Sequence, residues 1–233
     1  MTDRVSAEVE ATSGAGARLV AVRPAGPSPR ACPVCSQRLD GDGTCRNSLC
    51  RDPNHRIERI DAITSHSGAM QDKIHSYKYD GKAGWSLIFG RLVVRWLEAH
   101  AAGDPPGLIV ANPTYVGPGQ PGPGHIEAII RAAATADSGG RWAFDVRVPA
   151  AIIKTEATEQ SAGRSFAEKR IAAADLREVL KIPDPARTAG RRILVFDDVC
   201  TTGRQLDAVA DCLVQEGRAA GVRALVLARA PWR

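Results

Sequence analysis

No stretch of the 233 residues approaches the roughly 18 consecutive apolar positions that a membrane-spanning helix needs, so the sequence predicts no membrane insertion. The first thirty residues lack the apolar centre of a secretory leader. They carry Asp3, Glu8 and Glu10 among many Ala, Gly, Pro and Ser. That composition buries too little apolar surface to offset chain entropy, which predicts a disordered tail over 1–30 and a cytoplasmic protein. Lysine is scarce, with 6 Lys beside 25 Arg, and no Lys/Arg run reaches five. The net charge of +5 divides as +2 over residues 1–60, −1 over 61–160 and +4 over 161–233. Such a weak field suits a phosphate-bearing small ligand as well as a nucleic acid. Also missing are internal repeats, coiled-coil heptads and any G-x-x-x-x-G-K-[ST] loop. What remains is 44% hydrophobic and 24% charged, with a mean hydropathy of −0.19, which is globular. The length allows one ordinary domain and a small appendage.

Four of the six cysteines fall within nineteen residues. Cys32-Pro-Val-Cys35 is followed by Cys45 and Cys50. A C-x2-C turn aims two thiolates at one point, and a second pair opposite completes a tetrahedron suited to structural zinc. Two disulfides, or four unrelated thiols, are the competing reading. A reducing compartment disfavours the first and the clustering disfavours the second. The spacing of the second pair leaves His55 open as a substitute for Cys50. Cys200 and Cys212 lie far off and belong to the main core. The expected layout is a tail over 1–30, a zinc ribbon over 31–56 and a larger domain over 57–233.

In that domain the text from Ile57 to Lys82 is mixed. Trp85, Ile88, Leu92, Trp96 and Ala99 then recur at helical spacing, and Gly103-Asp104-Pro105-Pro106 stops them, so a helix is predicted over 85–101. Leu108 to Ala111 and Ile193 to Phe196 are short, wholly apolar runs of the kind a buried parallel strand produces. Further helices are expected around Ile126–Ala133, over 164–180 and around Leu206–Leu213. Further strands are expected within 144–154 and over Val222–Ala228. Gly117 to Gly124 reads as a loop. The alternation predicts a doubly wound, mostly parallel α/β sheet with its ligand site at the carboxyl ends of the strands.

The run Ile193 to Phe196 leads into Asp197-Asp198-Val199-Cys200-Thr201-Thr202-Gly203-Arg204-Gln205 and then a helix. Two carboxylates at a strand end can grip a diol and hydrated Mg²⁺. A turn of small hydroxyl residues opening a helix directs free N–H groups at a phosphate. Asp and Thr also cap helices, so each residue alone has a structural explanation, but the ordered set is harder to explain that way. An ATPase strand also ends in Asp, but the chain lacks the loop that would hold a triphosphate.

Four apolar residues, Asp-Asp, two residues and Thr-Thr-Gly resemble the signature of type I phosphoribosyltransferases. The resemblance implies that Asp197 and Asp198 address ribose hydroxyls and carry the catalysis, with Mg²⁺ accompanying phosphoribosyl pyrophosphate (PRPP). It implies that Thr201, Thr202, Gly203, Arg204 and Gln205 cradle the 5′-phosphate. Cys200 and Gln205 depart from the usual aliphatic and small hydroxyl residues. A cysteine ribbon ahead of such a domain resembles the ComF family, which is linked to DNA uptake. His75-Ser-Tyr-Lys78-Tyr-Asp-Gly-Lys82 is similar to that family's Lys-Tyr-x-Gly segment, and Gln160 and Arg170 keep its spacing, with Ile171 in place of an Asn. Lys78 is equally readable as a solvated surface lysine. Arg164, Lys169 and Arg170 are readable either as a solvated helix face or as the basic loop closing over pyrophosphate. The family's Arg-Gly-Phe-Asn-Gln segment is replaced by Asn112-Pro113-Thr114, the Gly-rich loop and His125. What the resemblance implies is therefore either phosphoribosyl transfer from PRPP, or a non-catalytic adaptor that binds single-stranded DNA or a helicase-like partner.

Overall fold

The computed structural model describes residues 30–115, 117, 123–158 and 166–230. Nearly all of the expected tail, most of the loop at 117–124, and Gln160 and Arg164 lie outside the described residues. So do the side chains of Lys169 and Arg170.

The stretch without a clear sequence pattern holds two elements. Strand β1 (Ile57–Ser65) is followed by helix α1 (Gly68–Tyr79). β1 escapes a periodicity search because it is an edge strand, burying Ile57, Ile60 and Ile63 while Glu58, Arg59 and Asp61 break the apolar run. Helix α1 buries only Met70, Ile74 and Tyr77. Helix α2 (Trp85–His100) follows the expected stripe, and strand β2 is Leu108–Ala111. Helix α3 is His125–Ala136. In place of one strand within 144–154 there is a single parallel bridge from Phe144 to Ile109, then β3 (Ile153–Lys154). Helix α4 (Phe166–Glu178) leads to β4 (Leu180–Lys181), which pairs antiparallel with β3. The chain ends in β5 (Arg192–Cys200), α5 (Arg204–Gln215) and β6 (Gly221–Arg229).

The central sheet has the order β1-β6-β5-β2, and every pairing is parallel. Alternate residues of its strands serve two cores. Leu194, Phe196, Leu225 and Leu227 face α1, α2 and α3. Ile193, Val195, Ala224 and Val226 face α4 and α5. Helices therefore cover both faces, as a doubly wound parallel sheet requires. On the first face α2 and α3 approach closely at Gly90, where a Cβ would lie 2.6 Å from the Ala133 nitrogen. On the second face Leu49 of the cysteine segment is fully buried in the sheet's own core. That burial alone is worth roughly 2 kcal/mol, so the cysteine segment is welded to the α/β domain.

No helix among the described residues is long and apolar enough to cross a membrane.

Candidate functional site

Cys32, Cys35, Cys45 and Cys50 converge, with their sulfurs all within 4.8 Å of one another. The first pair sits on a tight knuckle in which Ser36 adopts φ 57° and its N–H donates to the Cys32 carbonyl at 2.9 Å. Sγ–Sγ distances are 3.7 Å for Cys32–Cys50 and 3.6 Å for Cys35–Cys45. A disulfide would need about 2.05 Å. A zinc–sulfur bond of about 2.3 Å gives a tetrahedral edge of about 3.8 Å, which these two distances match. His55 is not part of it, because its Nδ1 lies 2.9 Å from the Ile57 carbonyl. Hydrogen bonds from the Cys50 thiol, the Gln37 N–H and the Asn47 amide hold Cys35 down to about 4. Burial pushes Cys45 up to about 11, and the bond to Cys35 pushes Cys50 up. A divalent ion such as Zn²⁺ would displace the thiol protons on binding. Among the described residues this is the one cluster of three or more such ligand groups. Cys200 and Cys212 are buried core thiols, each pushed up to about 11 by desolvation.

The aspartates lie within β5 rather than beyond it, because pairing with β6 continues through Asp197↔Val226 and Cys200↔Arg229. Consecutive strand side chains point to opposite faces, and this separates the pair. Asp198, 3% exposed, joins the α1–α3 side. There Lys78 Nζ on α1 lies 2.8 Å from Oδ1 and 2.7 Å from Oδ2, and His125 Nε2 at the start of α3 lies 3.2 Å from Oδ2. The Tyr77 hydroxyl steadies that corner by donating to the His125 carbonyl at 2.6 Å. Burial alone would raise Asp198, but His125 and Lys78 outweigh it and hold the carboxyl below its ordinary range.

Asp197 takes the other side and lines a depression of about 30 Å³ with Thr201, Thr202, Gly203, Arg204 and Gln205. Its Oδ2 accepts from Asn112 Nδ2 at 2.9 Å and its Oδ1 from the Asp198 N–H at 2.9 Å. Burial and the neighbouring Asp198 charge push it up to about 7. Three of the four carboxylate oxygens thus accept a hydrogen bond, while the buried Asp198 Oδ2 has ion-pair contacts to Lys78 and His125 but no hydrogen bond.

The turn itself is built for close approach. Gly203 sits at φ +86°, and a Cβ there would meet Ile60 Cδ1 at 2.6 Å and Leu49 Cδ2 at 2.9 Å. The N-cap Gly203 has no side chain to cap α5, and the first N–H of the helix, that of Arg204, is donated to the Thr202 hydroxyl at 3.4 Å. Thr201 is exposed and Thr202 buried.

Sequence reasoning missed how the cysteine segment grips this turn. Asn47, 1% exposed, donates from Nδ2 to the Thr202 carbonyl at 2.9 Å and accepts the Leu49 N–H at 3.0 Å. Arg204 was expected to cradle a phosphate. Instead its guanidinium reaches Asp52 at 2.7 Å and the Ser48 carbonyl at 2.8 Å. Asp207 accepts the N–H groups of Arg56 and Ile57 at 2.7 and 3.0 Å. No local pattern marks Asn47 or Asp52, since their partners are about 150 residues away. Lys78 and His125 were noted for motif and position alone.

A larger cavity of about 280 Å³ opens at the amino ends of the strands, beside Trp96 and His100. Its charged residues are paired among themselves, as Arg59–Asp61, Arg223–Glu58, and Arg192 and Arg223 with Asp104. It lies away from both centres just described. The chain matches no family model and no curated protein.

Proposed function

We propose that this is a ComF-type protein, in which a cysteine ribbon holding Zn²⁺ supports a type I phosphoribosyltransferase-like domain that binds PRPP or a related phosphoribosyl compound. The observation that carries this reading is the depression after β5, where Asp197 at one end and the Thr201-Thr202-Gly203 turn at the mouth of α5 line one small hollow. A carboxylate suits vicinal ribose hydroxyls, and hydroxyls and helix N–H groups suit a phosphate. In this reading transfer of the phosphoribosyl group rests on positioning and on charge stabilisation at the anomeric centre. Asp197 orients the sugar, Lys78 and His125 keep Asp198 ionised beneath it, and the turn anchors the phosphate. Mg²⁺ enters this scheme as a partner of the ligand's pyrophosphate.

Calorimetric titration with PRPP, in the presence and absence of Mg²⁺, tests the proposal. Binding to the wild-type chain, lost in Asp197→Asn, is expected. Heats that are absent, or equal in the two proteins, would refute it.

The adaptor reading draws on Arg204, whose guanidinium is tied to Asp52 and Ser48 instead of the hollow. On that reading, salt-sensitive binding of single-stranded DNA persists in an Asp197→Asn/Asp198→Asn protein.

A further inference from the structure

Arg229, near the carboxyl end of β6, is 6% exposed. Its Nη1 donates to the Cys200 sulfur, while Nε and Nη2 have no partner. Cys200 is no counter-ion, since burial keeps its thiol protonated up to about 11. No carboxylate among the described residues pairs with Arg229. A buried, uncompensated guanidinium is costly, so an anion must lie close by.

The candidate for that anion is the cysteine centre. The residue after Arg229, Ala230, accepts at its carbonyl the Gln37 side-chain amide at 3.0 Å, and Gln37, 7% exposed, lies two positions beyond Cys35. The Gln37 carbonyl in turn accepts the Cys32 N–H at 2.6 Å. The end of β6 is thereby clamped to the first cysteine knuckle. Four thiolates around one divalent ion carry a net charge of −2, itself a buried charge in need of compensation.

We propose that Arg229 is the counter-cation of the ribbon's metal–tetrathiolate centre, a positioning residue whose buried positive charge offsets half of the centre's net −2. The proposal concerns the cysteine centre and does not depend on the phosphoribosyl reading.

Titration of the whole chain with Co²⁺, followed by thiolate-to-cobalt absorption in competition with a chelator, tests it. Arg229→Gln is expected to weaken Co²⁺ binding about 10–100-fold, while Arg229→Lys, which keeps the charge, stays within about threefold of wild type. Thermal melts separate charge compensation from packing. Arg229→Gln should lower the melting temperature of the metal-loaded protein and should not lower that of the chelator-stripped protein, where the guanidinium has no counter-ion. Equal Co²⁺ affinity in wild type and Arg229→Gln would overturn the proposal, as would an equal loss of melting temperature in both forms. If Arg229→Gln yields no folded protein, Arg229→Lys decides, and more than a tenfold loss of Co²⁺ affinity there is fatal to the idea.

Discussion

Burial and the adjacent Asp198 charge push the Asp197 carboxyl up to about 7, while His125 and Lys78 hold Asp198 low against its burial. Their linkage to folding runs in opposite directions. An acid raised on folding keeps a proton that the unfolded chain releases near pH ~4, so the Asp197 contribution is complete below that pH and fades as pH climbs through about 7. Asp198 contributes above the unfolded value and loses its contribution on acidification. Urea denaturation across pH 4–7 should therefore show a falling component in the wild type that Asp197→Asn removes. Lys78→Met leaves the carboxylate of Asp198 buried without its main cation and should cost about 3 kcal/mol of unfolding free energy in urea. Adding Asp198→Asn should return part of it. Sequence spacing brought out Asp197, Asp198 and the four cysteines because each group sits within a short window. Lys78 is 120 residues from Asp198, and only the packing of α1 against β5 makes them partners.

At the scale of elements, the turn between β5 and α5 is shaped from two sides. The φ of +86° at Gly203 suits glycine, and Ile60 and Leu49 occupy the space a side chain would need. Gly203→Ala should destabilise the fold by about 1–3 kcal/mol in chemical denaturation. Asn47→Ala leaves the Thr202 carbonyl buried without its donor, and the expected loss is about 1–3 kcal/mol. If the hollow binds phosphoribosyl ligands, the same variant weakens that binding in calorimetry, whereas an unchanged affinity would show that the ribbon does not shape the turn. Apolar helices and central strands were readable because burial on one or both faces imposes a period. β1 and α1 were not, since an edge strand studded with Glu58, Arg59 and Asp61 and a helix burying three residues leave little pattern to detect.

For the whole molecule the cysteine segment and the sheet share one core, in which Leu49 is fully buried together with Val226 and Leu206. On the proposed zinc reading, a strong chelator should therefore lower the global melting temperature by at least about 5 °C, because losing the ribbon loosens the packing behind the turn. A melting curve indifferent to chelation would show that the four thiols hold the segment unaided.

By itself the sequence determined the α/β alternation, the thiol quartet and the acidic strand followed by a small-residue turn. Each of these is written in residues that sit close together, where covalent geometry and local burial leave a periodic trace. The tertiary structure alone decided that Asp197 faces the hollow while Asp198 faces Lys78 and His125, that Arg204 turns to Asp52, and that Arg229 is buried against Cys200. Those outcomes depend on which helix or knuckle covers each face of a strand, and on where charges separated by more than a hundred residues must find partners out of water.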